Sequence, residues 1–214
     1  MNRFPGKLLL GYQNFIEGPY KTQRSQYFEL ATSGQKPDIL VIACCDSRAA
    51  PETVFDCGPG ELFVMRNVAN LVPPYSPDGA FHATSAALEF AVQSLRVKHI
   101  VILGHGRCGG IQAALDPTAE PLSPGDFIGK WMSMLAPLTE QMQHFTSLTV
   151  SERHTALERI SVRNSITNLN TFPWIKSLSD SGELKLHGAW FDISTGELWV
   201  MDGDSGDFER PVFD

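Results

Sequence analysis

Apolar positions recur along this chain with two different periods. Leu8, Leu9, Tyr12, Phe15 and Ile16 fall at helical spacing until Gly18-Pro19 breaks the pattern, and a second helix is predicted over Tyr20–Ala31, ended by Ser33-Gly34. From Asp38 the run Ile-Leu-Val-Ile-Ala-Cys44 is continuously apolar, as in a strand buried on both faces of a parallel sheet. Glu61–Met65 predicts a second strand and Lys98–Leu103 a third. Between them lies a helix from about Ala80 to Leu95, with Leu88, Ala91, Val92 and Leu95 on one face. Gly109 or Gly110 opens another helix. After the proline- and acid-rich loop Asp116–Gly125, Asp126 reads as the N-cap of a helix through Trp131 and Leu135. Ser151–Leu169 is a long amphipathic helix whose ridge is Leu157, Ile160, Ile166 and Leu169. Lys185–Asp192 and Glu197–Met201 flank Ser194-Thr-Gly196, a hairpin with a glycine turn. The alternation predicts an α/β fold: a single domain with a mainly parallel central β-sheet flanked by helices, an N-terminal helical arm over 1–34, a body over 35–214 and a C-terminal hairpin.

Charge narrows the partners. With 24 acidic and 17 basic residues among 214, the net charge of −7 offers no footprint for nucleic acid and disfavours anionic membrane surfaces. The longest wholly apolar run, Ile39–Cys45, is far too short to span a bilayer. Beside Arg3 and Lys7 only Leu8-Leu9-Leu10 is apolar, too little for a signal peptide, so the expected location is cytoplasmic. The cysteines, at 44, 45, 57 and 108, are then expected as reduced thiols or metal ligands rather than disulfides.

Cys44-Cys45-Asp46-Ser47-Arg48 follows the first buried strand directly, and Gly104-His105-Gly106-Arg107-Cys108-Gly109-Gly110 follows the third. In open α/β sheets, sites form beyond the carboxyl ends of strands, so the two segments can meet in one crevice. Taken singly, Cys44 reads equally as an inert buried thiol and His105 as a satisfied turn histidine. Together, Cys44, His105 and Cys108 make the donor set that tetrahedral zinc takes, and three protein ligands leave a fourth position open, as catalytic zinc requires. Asp46 and Arg48 stand at alternating positions and can pair, which keeps the carboxylate ionised and an acceptor. A rival reading is the dinucleotide fingerprint in Gly104-x-Gly106-x-x-Gly109. It lies mid-chain, however, and the acidic candidates that should follow, Glu120 and Asp126, fall in the proline-rich loop. A phosphatase loop fails because Ala50 stands where its arginine should be.

These segments resemble the two signatures of the β-class carbonic anhydrases. The resemblance extends to Pro59–Asn70, Ala86–Ala91, the helix bearing Val162, Ser165, Asn168 and Leu169, and the C-terminal hairpin, and so runs from about residue 8 to 205. It implies one zinc ion per chain on Cys44, His105 and Cys108, with Asp46 and Arg48 as the catalytic pair. It also implies a substrate amide from Gln35 in a pocket lined by Phe63, Val68 and Phe90 at a subunit interface. The implied reaction is reversible hydration of carbon dioxide to bicarbonate and a proton by zinc-bound hydroxide. The implied assembly is a homodimer or larger homo-oligomer, the N-terminal helices wrapping the partner.

Cys45 stands where this family usually has serine, Ala49 where it has valine, Gly106 where serine or threonine is frequent, and Phe90 where tyrosine is common. None is a ligand, but they alter pocket polarity, and relatives with altered pockets hydrolyse carbonyl sulfide or carbon disulfide; that alternative stays open, as does a non-catalytic zinc protein. His82, His144, His154 and His187 read as surface or structural histidines before proton relays. Members that close at low pH carry tryptophan and glycine three and one residues before the first zinc cysteine. Here those are Val41 and Ala43, so Asp46 is expected to stay on Arg48, as in the plant-like, non-allosteric branch.

Overall fold

In the computed structural model, which describes residues 4–80, 82–145 and 147–213, six strands share one sheet. They are β1 (Ile39–Cys44), β2 (Leu62–Asn67), β3 (His99–His105), β4 (Lys185–Phe191), β5 (Leu198–Met201) and β6 (Phe208–Glu209), in the order β2-β1-β3-β4-β5-β6. The first four are parallel; β4-β5 and β5-β6 are antiparallel. The chain leaves β1 for β2 on one side and then crosses to β3 on the other. The carboxyl ends of β1 and β3 therefore flank a topological switch point, where open sheets leave a crevice. Cys44 ends β1 and His105 ends β3.

Alternate β-strand residues feed opposite faces. Leu40, Ile42, Ile100, Ile102 and Trp190 pack with Leu88, Ala91, Val92, Val162, Leu169 and Phe172, whereas Val41, Ala43, Leu103 and Ala189 form a smaller cluster on the other face. The helices are α1 (Gly6–Glu17), α2 (Pro19–Ser33), α3 (Pro51–Val54), α4 (Ala83–Glu89), α5 (Gly109–Leu115), α6 (Phe127–Met132), α7 (Ala136–Gln143), α8 (Val150–Leu169) and α9 (Pro173–Asp180). None is long and apolar enough to cross a membrane.

Several boundaries differ from expectation. The helix expected from Ala80 begins at Ala83, and its second half, Phe90–Leu95, is a π-helical turn closed by Arg96 at φ 60°. Of the residues expected there, Phe81 lies outside the described set, as does Arg3 at the N-terminus. Asp126 does cap α6, its Oδ1 accepting from Gly129 N–H at 3.2 Å. In α8 the buried side is Leu157, Glu158, Ser161, Val162, Ser165 and Leu169, a face rotated from the expected ridge towards small and polar residues. Its start is a reciprocal capping box between Thr149 and Glu152. α3, α7, α9 and β6 were not anticipated.

The rotation of α8 has a steric cause. A Cβ on Gly104 would lie 2.8 Å from Val162 Cγ2, and one on Gly188 2.9 Å from Val162 Cγ1. These glycines let α8 lie directly on β3 and β4, which is the packing role of a glycine run that sequence alone leaves open to phosphate binding.

The arm is less embedded. Neither α1 nor α2 buries a residue in this chain, and Leu8, Tyr12 and Phe28 are 56%, 63% and 71% exposed. The two helices hold each other through Phe15, Tyr20 and Tyr27, with ring centroids 5.3–5.9 Å apart. They meet the body where Gln26 Nε2 donates to Pro59 O at 2.9 Å.

Candidate metal centre

The crevice at the switch point gathers three ligand atoms. Those of Cys44, His105 and Cys108 all lie within 4.8 Å of one another, and all three residues are buried. Each arrives by a different device. Cys44 is the last residue of β1, and its Sγ accepts from Ala69 N–H at 3.3 Å. His105 ends β3 and donates Nδ1–H to Gly106 O at 2.9 Å, which assigns the tautomer and leaves Nε2 as an acceptor. Cys108 caps α5 and is turned inwards by Arg107, whose φ of 56° is left-handed.

Two observations show that this donor set fits zinc. His105 Nε2 is buried without a hydrogen-bond partner, which is costly for a polar atom unless something binds it. The two sulfurs stand 4.0 Å apart, too far for a disulfide and close to the roughly 3.8 Å that two Zn–S bonds of about 2.3 Å impose at a tetrahedral angle. The thiols also compete for protons. The hydrogen bond with Cys108 is the largest influence drawing the Cys44 thiol below its ordinary pKa, whereas the bond with Cys44, followed by burial, pushes the Cys108 thiol up. A divalent cation removes that conflict by neutralising both thiolates.

Beside the ligands, Arg48 grips Asp46 with two prongs, Nε to Oδ1 at 2.9 Å and Nη2 to Oδ2 at 2.7 Å, and the Arg48 N–H adds a third bond to Oδ1 at 3.0 Å. Arg48 Nη2 also donates to Arg107 O at 3.2 Å, tying the two ligand loops together. The Arg48 guanidinium holds the Asp46 carboxyl well below the usual carboxylate range, against the opposing effect of burial. Asp46 Oδ2 ends 3.9 Å from His105 Nε2, on the ligand side.

Two supporting residues escaped sequence reasoning. Arg66 on β2 donates to Cys44 O at 2.8 Å and Asp46 O at 2.7 Å, pinning the turn that leaves β1. Glu158, buried on α8, accepts from Cys108 N–H and Trp190 Nε1. An arginine inside a strand carried a usable hint; a glutamate in an amphipathic helix carried none.

The pocket residues separate in one chain. A cleft of about 500 Å³ is lined by Val68, Arg66, Asn67, Thr84, Ile128 and Trp131 among others. Of the four residues expected in the substrate pocket, Val68 alone lines it. Phe63 and Phe90 pair with each other at 5.8 Å, and Gln35 is exposed at the α2–β1 junction. Of the histidines considered as relays, His187 pairs with His99 at 3.0 Å and His82 with Asp78 at 2.6 Å.

A family model for carbonic anhydrase matches residues 39–198. Beta carbonic anhydrase 5 of the Arabidopsis thaliana chloroplast is 37% identical over 180 residues, which cover 83% of this chain and 59% of that protein. The chain spans about six-tenths of the length of the curated relatives it matches. Among solved structures, the β-carbonic anhydrase CcaA superposes with a TM-score of 0.89 at 30% identity, over 97% of this chain and 92% of that one. A structure from work on two tetrameric β-carbonic anhydrases of Sordaria macrospora superposes with a TM-score of 0.76 at 30% identity, over 95% and 98% of the two chains. Sequence, fold and ligand geometry thus agree, and the chain belongs to the β-class of the carbonic anhydrase family.

Proposed function

We propose that this chain catalyses the reversible hydration of carbon dioxide to bicarbonate and a proton, with one zinc ion held by Cys44, His105 and Cys108. The observation that carries the reading is the Asp46 carboxylate, locked by Arg48 and standing 3.9 Å from the unpartnered Nε2 of His105. Zinc, when bound, supplies Lewis acidity that draws the ionisation of water towards neutral pH, a property for which a carbonic anhydrase with three histidine ligands is the standard illustration.

The protein's own groups do the rest. Both Asp46 oxygens are engaged by Arg48, so the carboxylate stays ionised and keeps lone pairs for a further donor. It accepts a hydrogen bond from the attacking hydroxide, formed when the water's other proton leaves to buffer, and so leaves an oxygen lone pair facing carbon dioxide. The bond formed is oxygen to carbon; the electron pair of one C=O bond moves to oxygen, and bicarbonate results. Arg48 remains half-exposed, so the pair is a positioning device rather than a large source of stability.

The substrate pocket is assembled between two copies of the chain, bringing Gln35, Phe63 and Phe90 to the wall that Val68 begins. The exposed apolar arm of α1 and α2 supports a homo-oligomer, and the Sordaria macrospora relatives are described as tetrameric. The arm and the body then act as two functional parts, one assembling and one binding zinc.

Stopped-flow carbon dioxide hydration by the zinc-loaded protein tests the reading. A zinc-dependent rate well above buffer, lost in Asp46→Asn, is expected. A rate at buffer level, with carbonyl sulfide consumed instead, would replace the substrate while keeping the site.

A further inference from the structure

Cys108 reaches the metal site from a loop that has almost no regular structure to hold it. Gly106 N donates to Phe191 O at 2.8 Å, Arg107 Nη1 reaches Asp192 at 3.3 Å, and Arg107 itself sits at positive φ. The next backbone donor, Cys108 N–H, precedes α5 and so has no acceptor within that helix. It is buried, and its partner is Glu158 Oε1 at 3.1 Å.

Glu158 comes from the middle of α8, fifty residues further along the chain, and is only 2% exposed. Its other oxygen, Oε2, accepts from Trp190 Nε1–H at 3.0 Å. Both oxygens therefore face N–H donors, one on the metal-ligand loop and one on β4. The indole is fixed independently, because the guanidinium of Arg159 lies 4.5 Å from the Trp190 ring centroid and 4.6 Å from that of Trp199. The carboxylate can reach the loop only because Gly104 and Gly188 bring α8 against the strands. A carboxylate so deeply buried is costly, and nothing in the fold of α8 itself requires one at this position.

We propose that Glu158 is a positioning residue for the metal site: it fixes the backbone of Cys108, and through it the direction in which Sγ is presented to zinc. The inference rests on the zinc assignment above and adds a partner outside the ligand set. Such outer partners typically carry a 10- to 100-fold share of metal affinity.

The alternative is that Glu158 merely ties α8 to β4. The two roles separate by experiment, because Glu158 and Arg159 are chain neighbours that share Trp190 but only Glu158 touches Cys108. Glu158→Gln places an NH₂ group against one of the two N–H donors and leaves a buried donor unpaired. Arg159→Met removes the cation from between the indoles and leaves the Cys108 contact in place.

Each variant, purified as the zinc-loaded full chain, is mixed with a chromophoric chelator, and zinc transfer is timed well below the melting temperature. Glu158→Gln is expected to release zinc about 10- to 100-fold faster than the parent, and Arg159→Met within about threefold of it. With cobalt in place of zinc, the thiolate-to-metal absorption band should shift in Glu158→Gln and not in Arg159→Met. Parental release from Glu158→Gln, or equally fast release from both variants, overturns the proposal. A parent that binds no zinc would instead overturn the metal assignment, so the two failures are distinguishable. Should Glu158→Gln not fold, Glu158→Asp, which shortens the reach by one methylene, is judged by the same outcomes.

Discussion

Arg48 and Asp46, separated by a single residue, form a two-pronged ion pair whose third strand is the backbone N–H of Arg48 on the same carboxylate. The fork geometry matters more than the charge. Lysine at 48 would keep the charge but could offer neither the second prong nor, at the same time, the bond to Arg107 O. Arg48→Lys is therefore expected to lower kcat by about 10- to 100-fold with little change in zinc content. Steady-state hydration kinetics beside metal analysis check this; full activity in Arg48→Lys would show that the fork is dispensable.

The same pair makes a pH prediction. Arg48, first through its hydrogen bonds, holds the Asp46 carboxyl below its ordinary value. A carboxyl depressed in the folded state contributes stability that is complete above the unfolded pKa of about 3.9 and is lost as the pH falls through the lower folded value. In the zinc-loaded protein the Asp46 carboxyl resonance should thus stay constant from pH 6 down through about pH 4. In Arg48→Ala it should titrate in the ordinary carboxylate range. A normal titration of Asp46 in the parent would contradict the pairing.

Gly104 offers a test of the close approach between α8 and the sheet. Gly104→Ala places a methyl group 2.8 Å from Val162 Cγ2 and should destabilise the protein by about 1–3 kcal/mol in denaturant unfolding. Val162→Ala alone should also destabilise, by opening a cavity. The double variant should lose less than the sum of the two, because the atoms in conflict are gone. Strict additivity would mean that the contact is relieved elsewhere.

The arm makes an assembly prediction. Leu9 and Tyr12 on α1 are 55% and 63% exposed in the single chain. Leu9→Glu combined with Tyr12→Glu should reduce the mass of the assembly in sedimentation velocity and reduce activity with it, since the pocket is proposed to lie between copies. An unchanged mass would remove α1 from the interface.

How much of this was legible in the sequence depended on how local each feature is. The cluster of Cys44, His105 and Cys108 was legible because each residue lies at or just beyond the end of a buried strand, and parallel strands β1 and β3 align their carboxyl ends. The Asp46–Arg48 pair was legible for the same reason. Glu158 was not, since its partner is fifty residues away and a glutamate in a helix reads as solvent-facing. β6 was missed although a signal existed: the turn Asp192–Gly196, where Asp192 Oδ1 accepts from Ser194 N–H, recurs as Asp202–Gly206, where Asp202 Oδ1 accepts from Asp204 N–H. Pro173 likewise marked the first turn of α9, but the apolar run around Phe172 and Trp174 masked it. The π-helical turn at Phe90–Leu95 has no local signature, because apolar spacing at 3.6 and at wider periods coincides over six residues.

Zinc titration joined to the hydration assay probes the proposed chemistry at its root. Metal-depleted protein is reloaded stepwise with zinc, and carbon dioxide hydration is followed by stopped flow at each step, with Cys108→Ser in parallel. Activity should rise in proportion to bound zinc and stop rising at one zinc per chain, while Cys108→Ser stays near the buffer rate over the same additions. Full hydration activity in the metal-depleted protein, or no activity with one zinc bound per chain, would contradict the assignment.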